Sequence, residues 1–324
     1  MTPRIAAIVN RRAGRVGAAT LDALARAVPT GPLVATASLA ELEVAAGAVI
    51  STAPTLVVLV GGDGSFVRGL AAVTAACAAA GVAVPTIGVL AAGSGNAVAR
   101  ALGGRPGLEA LPARLAAAAV ARPRRLPLLA VEGVRAPFCG FGVDATLVAD
   151  AERVGRWLTA RGAGGLPPWA RYAASVPLRS LPAVLGGRRA EVAITNLGAS
   201  AERWAADGTA TPVTDPTLWR GACTLAACAT IPYFGFGLRM FLHAERRADR
   251  FHLRAGDPGL AEMITSAPAA FAGRYTSPRV HDFACDAVRL AVDEPAPFEI
   301  AGDVVGVRAA VEVHLGAPID AIAI

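Results

Sequence analysis

Two neighbouring apolar runs each end in a short glycine-rich turn, and one turn holds a single aspartate. Residues 56–60, Leu-Val-Val-Leu-Val, lead into Gly61-Gly62-Asp63-Gly64-Ser65, and residues 86–90 lead into Ala91-Ala92-Gly93-Ser94-Gly95-Asn96. Glycine lets the backbone approach a ligand closely, and free N–H groups at the start of a following helix attract anions. A lone Asp in such a turn suits a metal ion or a reacting hydroxyl. Together the two turns therefore predict a nucleoside triphosphate site.

The elements that must position these turns are alternating strands and helices. Each apolar run predicts a buried parallel strand, and each alanine-rich segment after a turn predicts a helix. In an open parallel sheet, ligands bind at the carboxyl ends of the strands, where both turns lie. The alternation continues to the basic segment Arg122-Pro123-Arg124-Arg125. We therefore predict a nucleotide-binding α/β domain with a parallel sheet over residues 1–125.

Beyond this boundary the strand signals come closer together, and few helices separate them. The spacing predicts a mainly antiparallel β-sandwich domain over residues 126–315, while the last residues, 316–324, could return to the first domain. Helices are expected over 146–159 and 169–185. The polar, turn-rich segment 199–216 predicts a surface loop.

The basic residues limit the classes of enzyme that this chain can be. All 31 are arginine, none is lysine, and the net charge is +6. A P-loop needs its lysine on the phosphates and a Schiff-base enzyme needs an amine, so both classes are excluded. Arginine remains well suited to phosphates and anionic headgroups because its planar fork binds them bidentately.

Cysteine usage and hydropathy predict the compartment. The five cysteines form no Cys-x-x-Cys pair, which favours reduced thiols in a cytoplasmic protein. Residues 69–99 carry no charge, but their alanine, glycine and proline content predicts a buried helix and strand rather than a membrane span. We expect peripheral association with a membrane surface, no nucleic-acid partner, and either a monomer or a homodimer.

These motifs resemble those of the diacylglycerol kinase catalytic-domain family, which includes bacterial lipid kinases, sphingosine kinases and ceramide kinases. The chain is similar, more distantly, to the NAD kinase and phosphofructokinase superfamily. The family's first nucleotide turn resembles residues 8–14, and its Gly-Gly-Asp-Gly-Thr element resembles Gly61–Ser65. Residues 92–96 resemble its second glycine turn, and residues 140–144, Gly-Phe-Gly-Val-Asp, resemble a later motif.

The resemblance implies an ATP-dependent, Mg²⁺-requiring kinase that transfers the γ-phosphate to a primary hydroxyl of a membrane lipid. The acceptor would be diacylglycerol, a sphingoid base or a ceramide. Asp63 and Asp303 would be catalytic, Asp63 would hold the metal, and Asp144 would meet the lipid headgroup. The nucleotide-binding residues would be Asn10, Gly61, Gly62, Gly64, Ser65, Gly93, Ser94 and Asn96.

The sequence departs from the family pattern at two acidic segments. The late Asp-Gly-Glu motif is Ala301-Gly302-Asp303, so the first carboxylate is missing and the second is shortened. The Asp-Gly segment that the family associates with a structural metal is Asp249-Arg250. Two alternatives therefore stay open: an NAD kinase-like enzyme with a soluble acceptor, and a catalytically impaired protein that binds lipid or nucleotide.

Several of these residues also have a purely structural interpretation. Asp63 would cap the helix that follows it, and Asn96 would be an N-cap residue. Asp303 would be an ordinary β-turn residue, and Arg100 would be solvated.

Overall fold

The computed structural model describes residues 3–93, 95–142, 145, 146, 153, 154, 157, 160 and 190–324. The chain forms two compact units. The first comprises Met1–Leu128, Gly235–Gly237 and Ala317–Ile324, and the second comprises Leu129–Phe234 and Leu238–Gly316.

The first unit is built on a parallel sheet with the strand order β2-β1-β3-β4. The strands are β1 (Ile5–Asn10), β2 (Leu33–Thr36), β3 (Leu56–Gly61) and β4 (Thr86–Ala91). Ala321–Ala323, at the end of a long last strand, pair in parallel with Ile87–Val89 of β4. The carboxyl ends of these strands meet at one edge, and the predicted α/β domain with a parallel sheet is confirmed.

Five helices of the first unit connect these strands: α1 (Ala18–Ala27), α2 (Leu39–Ile50), α3 (Asp63–Ala80), α4 (Ala97–Ala101) and α5 (Leu111–Val120). Every residue of β3 is buried, and Leu24 and Leu111 pack with Val58 in the core beside it. Since both faces of such a strand are covered, its run of aliphatic residues is uninterrupted.

Helix α3 begins at Asp63, inside the first glycine-rich turn, whereas the sequence analysis placed the helix after that turn. Gly62 has an extended backbone, and its carbonyl accepts the N–H of Phe66 at 2.9 Å. Gly64 and Ser65 therefore lie in the first turn of α3 and not in a loop. Within the described part of the chain, no helix has both the length and the apolar character needed to cross a bilayer.

The second unit is rich in antiparallel strands, as predicted. The strands are β5 (Arg124–Val131), β6 (Val134–Ala136), β7 (Phe138–Gly142), β8 (Glu191–Asn196), β9 (Ala201–Trp204), β10 (Ala210–Val213), β11 (Thr217–Ala222), β12 (Leu225–Ala229), β13 (Phe251–Gly256), β14 (Val280–Cys285), β15 (Ala287–Ile300) and β16 (Asp303–Ala323). Along the sheet they run in the order β10-β9-β14-β13-β12-β7-β15. Strand β15 pairs with β8 through its first residues and with β7 through its last, and β16 lies along its other side.

One expectation for this region is wrong, and another falls mostly on residues that the structure does not describe. The segment 199–216 is not a loop, because β9 and β10 form a hairpin within it. The hairpin turns at Asp207-Gly208, where Gly208 has φ +87° and Asp207 Oδ1 accepts the N–H of Thr209 at 2.8 Å. The helices expected over 146–159 and 169–185 fall mostly outside the described residues. Two short helices, α6 (Leu260–Thr265) and α7 (Ala267–Phe271), follow β13 instead.

Candidate active site

The two glycine turns contact each other at the carboxyl edge of the first unit's sheet. The carbonyl of Gly61 accepts the N–H of Ala92 at 2.9 Å. A Cβ atom on Gly93 would lie only 2.4 Å from the Cα of Gly62. Since any side chain at position 93 would force the turns apart, glycine is required there by the contact between the two turns.

Asp63 joins the two turns through its carboxylate. Its Oδ2 accepts the N–H of Ala97 and its Oδ1 accepts the N–H of Val98, both at 3.0 Å. The side chain is buried, and a Cβ on Gly95 would lie 2.7 Å from Oδ2. Asp63 therefore starts α3 and caps the next helix, α4. The structural interpretation of the sequence had it capping α3 alone. A carboxylate is favourable at both helix N-termini because of the helix dipoles.

Asn96 shapes the second turn from within. It has φ +55°, in the left-handed region that Asn tolerates better than most residues. Its Oδ1 accepts the N–H of Gly93 at 2.9 Å, and its Nδ2 donates to the carbonyl of Gly93 at 2.6 Å. Asn96 occupies the N-cap position of α4, but Asp63 supplies the capping oxygens. Ser94, the remaining predicted residue of this turn, lies outside the described residues.

The loop after β1 reaches the same edge. Asn10 Nδ2 donates to Ser65 Oγ at 2.8 Å, and Asn10 Oδ1 accepts the N–H of Arg12 at 2.9 Å. The N–H of Arg15 donates to the carbonyl of Ala92 at 3.1 Å, which ties this loop to the second glycine turn. The structure thus brings the predicted residues of three separate segments together: Asn10, Gly61, Gly62, Gly64, Ser65, Gly93 and Asn96.

A cavity of about 180 Å³ opens beside these turns in the first unit. Asn10 and Ser65 form part of its wall, and the sequence analysis missed four further polar residues that line it: Arg12, Thr36, Ser38 and Arg68. The available signal was that Thr36 ends β2 and Ser38 follows it, since the carboxyl end of β2 lies at the same edge. Two arginines and several hydroxyl groups suit a ribose and an anionic phosphate chain.

A short 3₁₀ turn, Gly235–Gly237, belongs to the first unit and packs against α4. Gly237 has φ +86°, and a Cβ there would lie 3.4 Å from Cζ of Arg100. Arg100 is exposed, as its solvated interpretation predicted, and its guanidinium lies against this glycine turn.

The second unit holds an apolar cavity of about 230 Å³. It was not predicted from the sequence, because its walls come from segments far apart in the chain. Most of its lining is apolar and includes Leu225, Phe234, Leu238, Met240, Phe241, Met263, Ala270 and Tyr275. Such a cavity suits a hydrocarbon chain better than a polar metabolite.

A buried ion pair fixes two walls of this apolar cavity. Arg254 is fully buried, its Nε lies 3.1 Å from Asp282 Oδ1, and its guanidinium donates to the carbonyls of Met240 and Tyr275. Burial would raise the pKa of Asp282, but the hydrogen bond from His252 and the positive charges nearby lower it below its usual value. Asp282 therefore stays ionised and keeps Arg254 paired.

Residues 4–126 match the family model of the diacylglycerol kinase catalytic domain. These residues are therefore similar to the catalytic domain of that family, and the resemblance stated from the motifs is confirmed for this part of the chain.

Solved structures share the fold of this chain over nearly its whole length. A diacylglycerol kinase from Bacillus anthracis is 14% identical, with a TM-score of 0.57 over 98% of this chain and 96% of that one. Two structures of a proposed diacylglycerol kinase from the same organism have TM-scores of 0.63 and 0.61 at 14% and 16% identity. They cover 97% and 99% of this chain, and 94% and 97% of their own. No curated protein matches the chain.

The segment that resembles the family's late acidic motif is a tight hairpin turn in this chain. Ile300 pairs with Asp303, and between them Ala301 and Gly302 have φ +53° and +81°. Two residues with positive φ are typical of a type I′ turn. Asp303 is partly exposed at the start of β16, a position that agrees with its structural interpretation. Its predicted catalytic role stays a prediction, and Asp144 lies outside the described residues.

The residues at the family's structural-metal segment do not fit a metal ion here. Both carboxylate oxygens of Asp249 accept from Arg247, at 2.9 and 2.8 Å, and this pairing lowers the pKa of Asp249 to about 2. Arg250, which replaces glycine, lies 2.9 Å from Asp286 and donates to Ser200 Oγ at 2.7 Å. Guanidinium groups thus neutralise carboxylates that a cation would otherwise need.

Proposed function

We propose that this protein is an ATP-dependent lipid kinase that transfers the γ-phosphate to a primary hydroxyl of diacylglycerol, a sphingoid base or a ceramide. One observation supports the proposal most strongly. Two glycine turns and a third polar loop meet at the carboxyl edge of β1, β3 and β4. Asp63 bridges the two glycine turns with both carboxylate oxygens. In phosphoryl transfer the protein mainly positions groups and stabilises charge, which such an edge can do.

The nucleotide would lie across this edge. Gly64 and Ser65 belong to the first turn of α3, where backbone N–H groups have no acceptor within the helix and attract phosphate oxygens. The adenosine moiety would enter the neighbouring cavity of about 180 Å³, where Arg12 and Arg68 supply positive charge. The predicted contacts from Asn10 and Gly93 follow from the same placement.

The family implies a divalent metal together with the nucleotide, and the donors at this edge fit Mg²⁺. Asp63 offers a carboxylate and Ser65 a hydroxyl, which are oxygen ligands of the kind that Mg²⁺ prefers. Within the described residues no three acidic, histidine or cysteine side chains form a metal-binding group, so substrate phosphates would complete the coordination. The ion, when bound, neutralises charge on the transferred phosphoryl group.

The acceptor lipid would be held by the second unit. Its apolar cavity of about 230 Å³ would take part of an acyl or sphingoid chain, and the Arg254–Asp282 pair keeps two walls of that cavity in place. Asp63 would orient the acceptor hydroxyl and accept its proton, with Asp303 as the second candidate for this role.

Transfer from γ-labelled ATP tests the proposal directly. The protein is incubated with Mg²⁺ and labelled ATP, together with either a mixed lipid extract or NAD. We expect label in the organic-phase lipid, and none on NAD. Label on NAD would instead identify the soluble-acceptor kinase. Nucleotide binding without transfer to any lipid would identify a binding protein, an outcome that the missing carboxylate at Ala301 makes worth testing.

A further inference from the structure

The helices α6 and α7 carry apolar side chains on two faces. Met263 and Ala270 line the apolar cavity, whereas Ile264 and Phe271 are 64% and 52% exposed. Between residues 260 and 273 the sequence holds a single charged residue, Glu262. A surface helix normally has a polar outer face, so the exposure of Ile264 and Phe271 requires an explanation. We call these two side chains the outer patch.

Two exposed arginines lie at the end of α7, next to the outer patch. The N–H of Arg239 donates to the carbonyl of Ala270 at 3.0 Å, and the N–H of Arg274 donates to the carbonyl of Ala269 at 2.8 Å. Both side chains are exposed. These backbone contacts place both residues at the end of α7, and a Cβ on Gly273 would lie 3.2 Å from Nε of Arg239.

A third exposed arginine lies at the start of α6. A Cβ on Gly259 would be 3.6 Å from Nη1 of Arg279. Glu262, the one acidic residue of the helix pair, accepts a hydrogen bond from the hydroxyl of Tyr275 at 3.0 Å. Three arginines therefore flank the helix pair, and its single carboxylate interacts with Ser277, Tyr275 and Arg279.

We propose that the outer patch and its three arginines, Arg239, Arg274 and Arg279, dock the protein on an anionic lipid bilayer. Positive charge matches anionic headgroups, and two apolar side chains can enter the boundary between headgroups and acyl chains. The same helices line the apolar cavity, so a lipid chain leaving the bilayer meets them first. The inference rests on the proposed lipid acceptor, and it names the surface through which that acceptor is reached.

Vesicle co-sedimentation without nucleotide or acceptor lipid tests the surface. The protein should bind vesicles of phosphatidylglycerol and phosphatidylcholine, and bind pure phosphatidylcholine much less. The double variant Ile264→Ser/Phe271→Ser should lose about tenfold in affinity for each side chain. The control variant Val82→Ser/Val120→Ser changes side chains that are 51% and 77% exposed in the first unit, and it should bind normally.

Charge variants test the arginines separately. Arg239→Gln/Arg274→Gln should lower the affinity by about fivefold for each charge at low salt, and high salt should reduce the difference. Arg220→Gln/Arg289→Gln removes two exposed arginines from strands β11 and β15 of the same unit and should change binding little. Phe271→Trp should retain binding, because an interfacial aromatic side chain replaces another.

Unchanged binding of the double serine variant to anionic vesicles would overturn the proposal. So would gel filtration showing that Ile264 and Phe271 hold two copies of the chain together and that vesicles do not separate them. Transfer to an acceptor lipid dispersed in detergent is measured independently. If vesicles bind through this surface but no lipid is phosphorylated, the kinase assignment fails and the docking surface stands.

Discussion

Two of the chain's Gly-Asp pairs, Gly62-Asp63 and Gly302-Asp303, have completely different surroundings. Asp63 is buried, and both of its carboxylate oxygens accept backbone N–H groups from the start of α4. Asp303 is partly exposed and follows a two-residue hairpin turn at the start of β16. The same dipeptide is thus a bridge between the two glycine turns in the first unit and the end of a hairpin in the second.

This comparison predicts very different effects when each carboxylate is neutralised. Asp63→Asn should reduce phosphoryl transfer by about 10²–10⁴-fold, the range for loss of a positioned general base. The variant should also lose about 1–3 kcal/mol of stability, because an amide replaces a charged acceptor of two buried N–H groups. Rates are measured with labelled ATP, and unfolding free energies by urea denaturation.

Asp303→Asn is the matched control for Asp63→Asn. Its rate should fall by less than about tenfold, since it lies at a hairpin that needs no carboxylate for its conformation. Equal losses in the two variants would show that the late motif shares the chemistry equally. An active Asp63→Asn variant would remove Asp63 from the mechanism.

The contact between the two glycine turns can be broken without touching a carboxylate. Gly93→Ala would place a Cβ 2.4 Å from Gly62 Cα, so we expect a loss of about 1–3 kcal/mol of stability and weaker nucleotide binding. Gly47→Ala, in α2 with no atom within 4 Å, should gain about 0.5–1 kcal/mol. Thermal unfolding and ATP titration calorimetry measure both. Normal ATP affinity in Gly93→Ala would contradict the role of the paired turns.

Substitutions at Ala301, in the hairpin turn, should change the unfolding free energy by a smaller amount. Ala301 has φ +53°, which costs about 1–2 kcal/mol for a residue with a Cβ. Ala301→Gly should therefore raise the unfolding free energy by about 0.5–1 kcal/mol, after the cost of glycine's freedom in the unfolded chain. Ala301→Asp restores the family's carboxylate and should raise the transfer rate. A rate unchanged by Ala301→Asp would show that this acid is dispensable.

Histidine protonation should affect the stability of the second unit and not of the first, because all four histidines belong to the second unit. Burial and the neighbouring His252 lower the pKa of His243 from 6.5 to about 4. Between these values the unfolded chain binds the proton first, so the unfolding free energy should fall as pH drops from 6.5 towards 4. His243→Phe should reduce this slope. Urea denaturation at several pH values measures this slope. Identical slopes in the unmodified protein and in His243→Phe would contradict the contribution assigned to His243.

The sequence predicted what depends on local pattern. Apolar runs ending in glycine located β3 and β4, and the motifs named most residues at the edge of the sheet. It could not predict the partners of Asp63, which lie 34 and 35 positions away on another helix. The start of α3 was predicted too late. The residues before Phe66, its first buried aromatic residue, were assigned to a glycine turn, although the helix already begins at Asp63.

The apolar cavity shows the same limit more strongly. Its walls combine residues from Thr224 to Tyr275, and no single segment signals it. The hairpin of β9 and β10 was missed because polar exposed strands resemble loops in composition. Its Asp207-Gly208 turn, with flanking residues that pair across it, was the available signal.

A crystal structure with Mg²⁺ and a non-hydrolysable ATP analogue tests the central claim most directly. We predict that the β- and γ-phosphates contact backbone N–H groups of Gly62–Ser65 and the turn around Gly93, with Asp63 beside the metal. A nucleotide bound elsewhere, or a closed and empty edge at saturating analogue, would contradict the account.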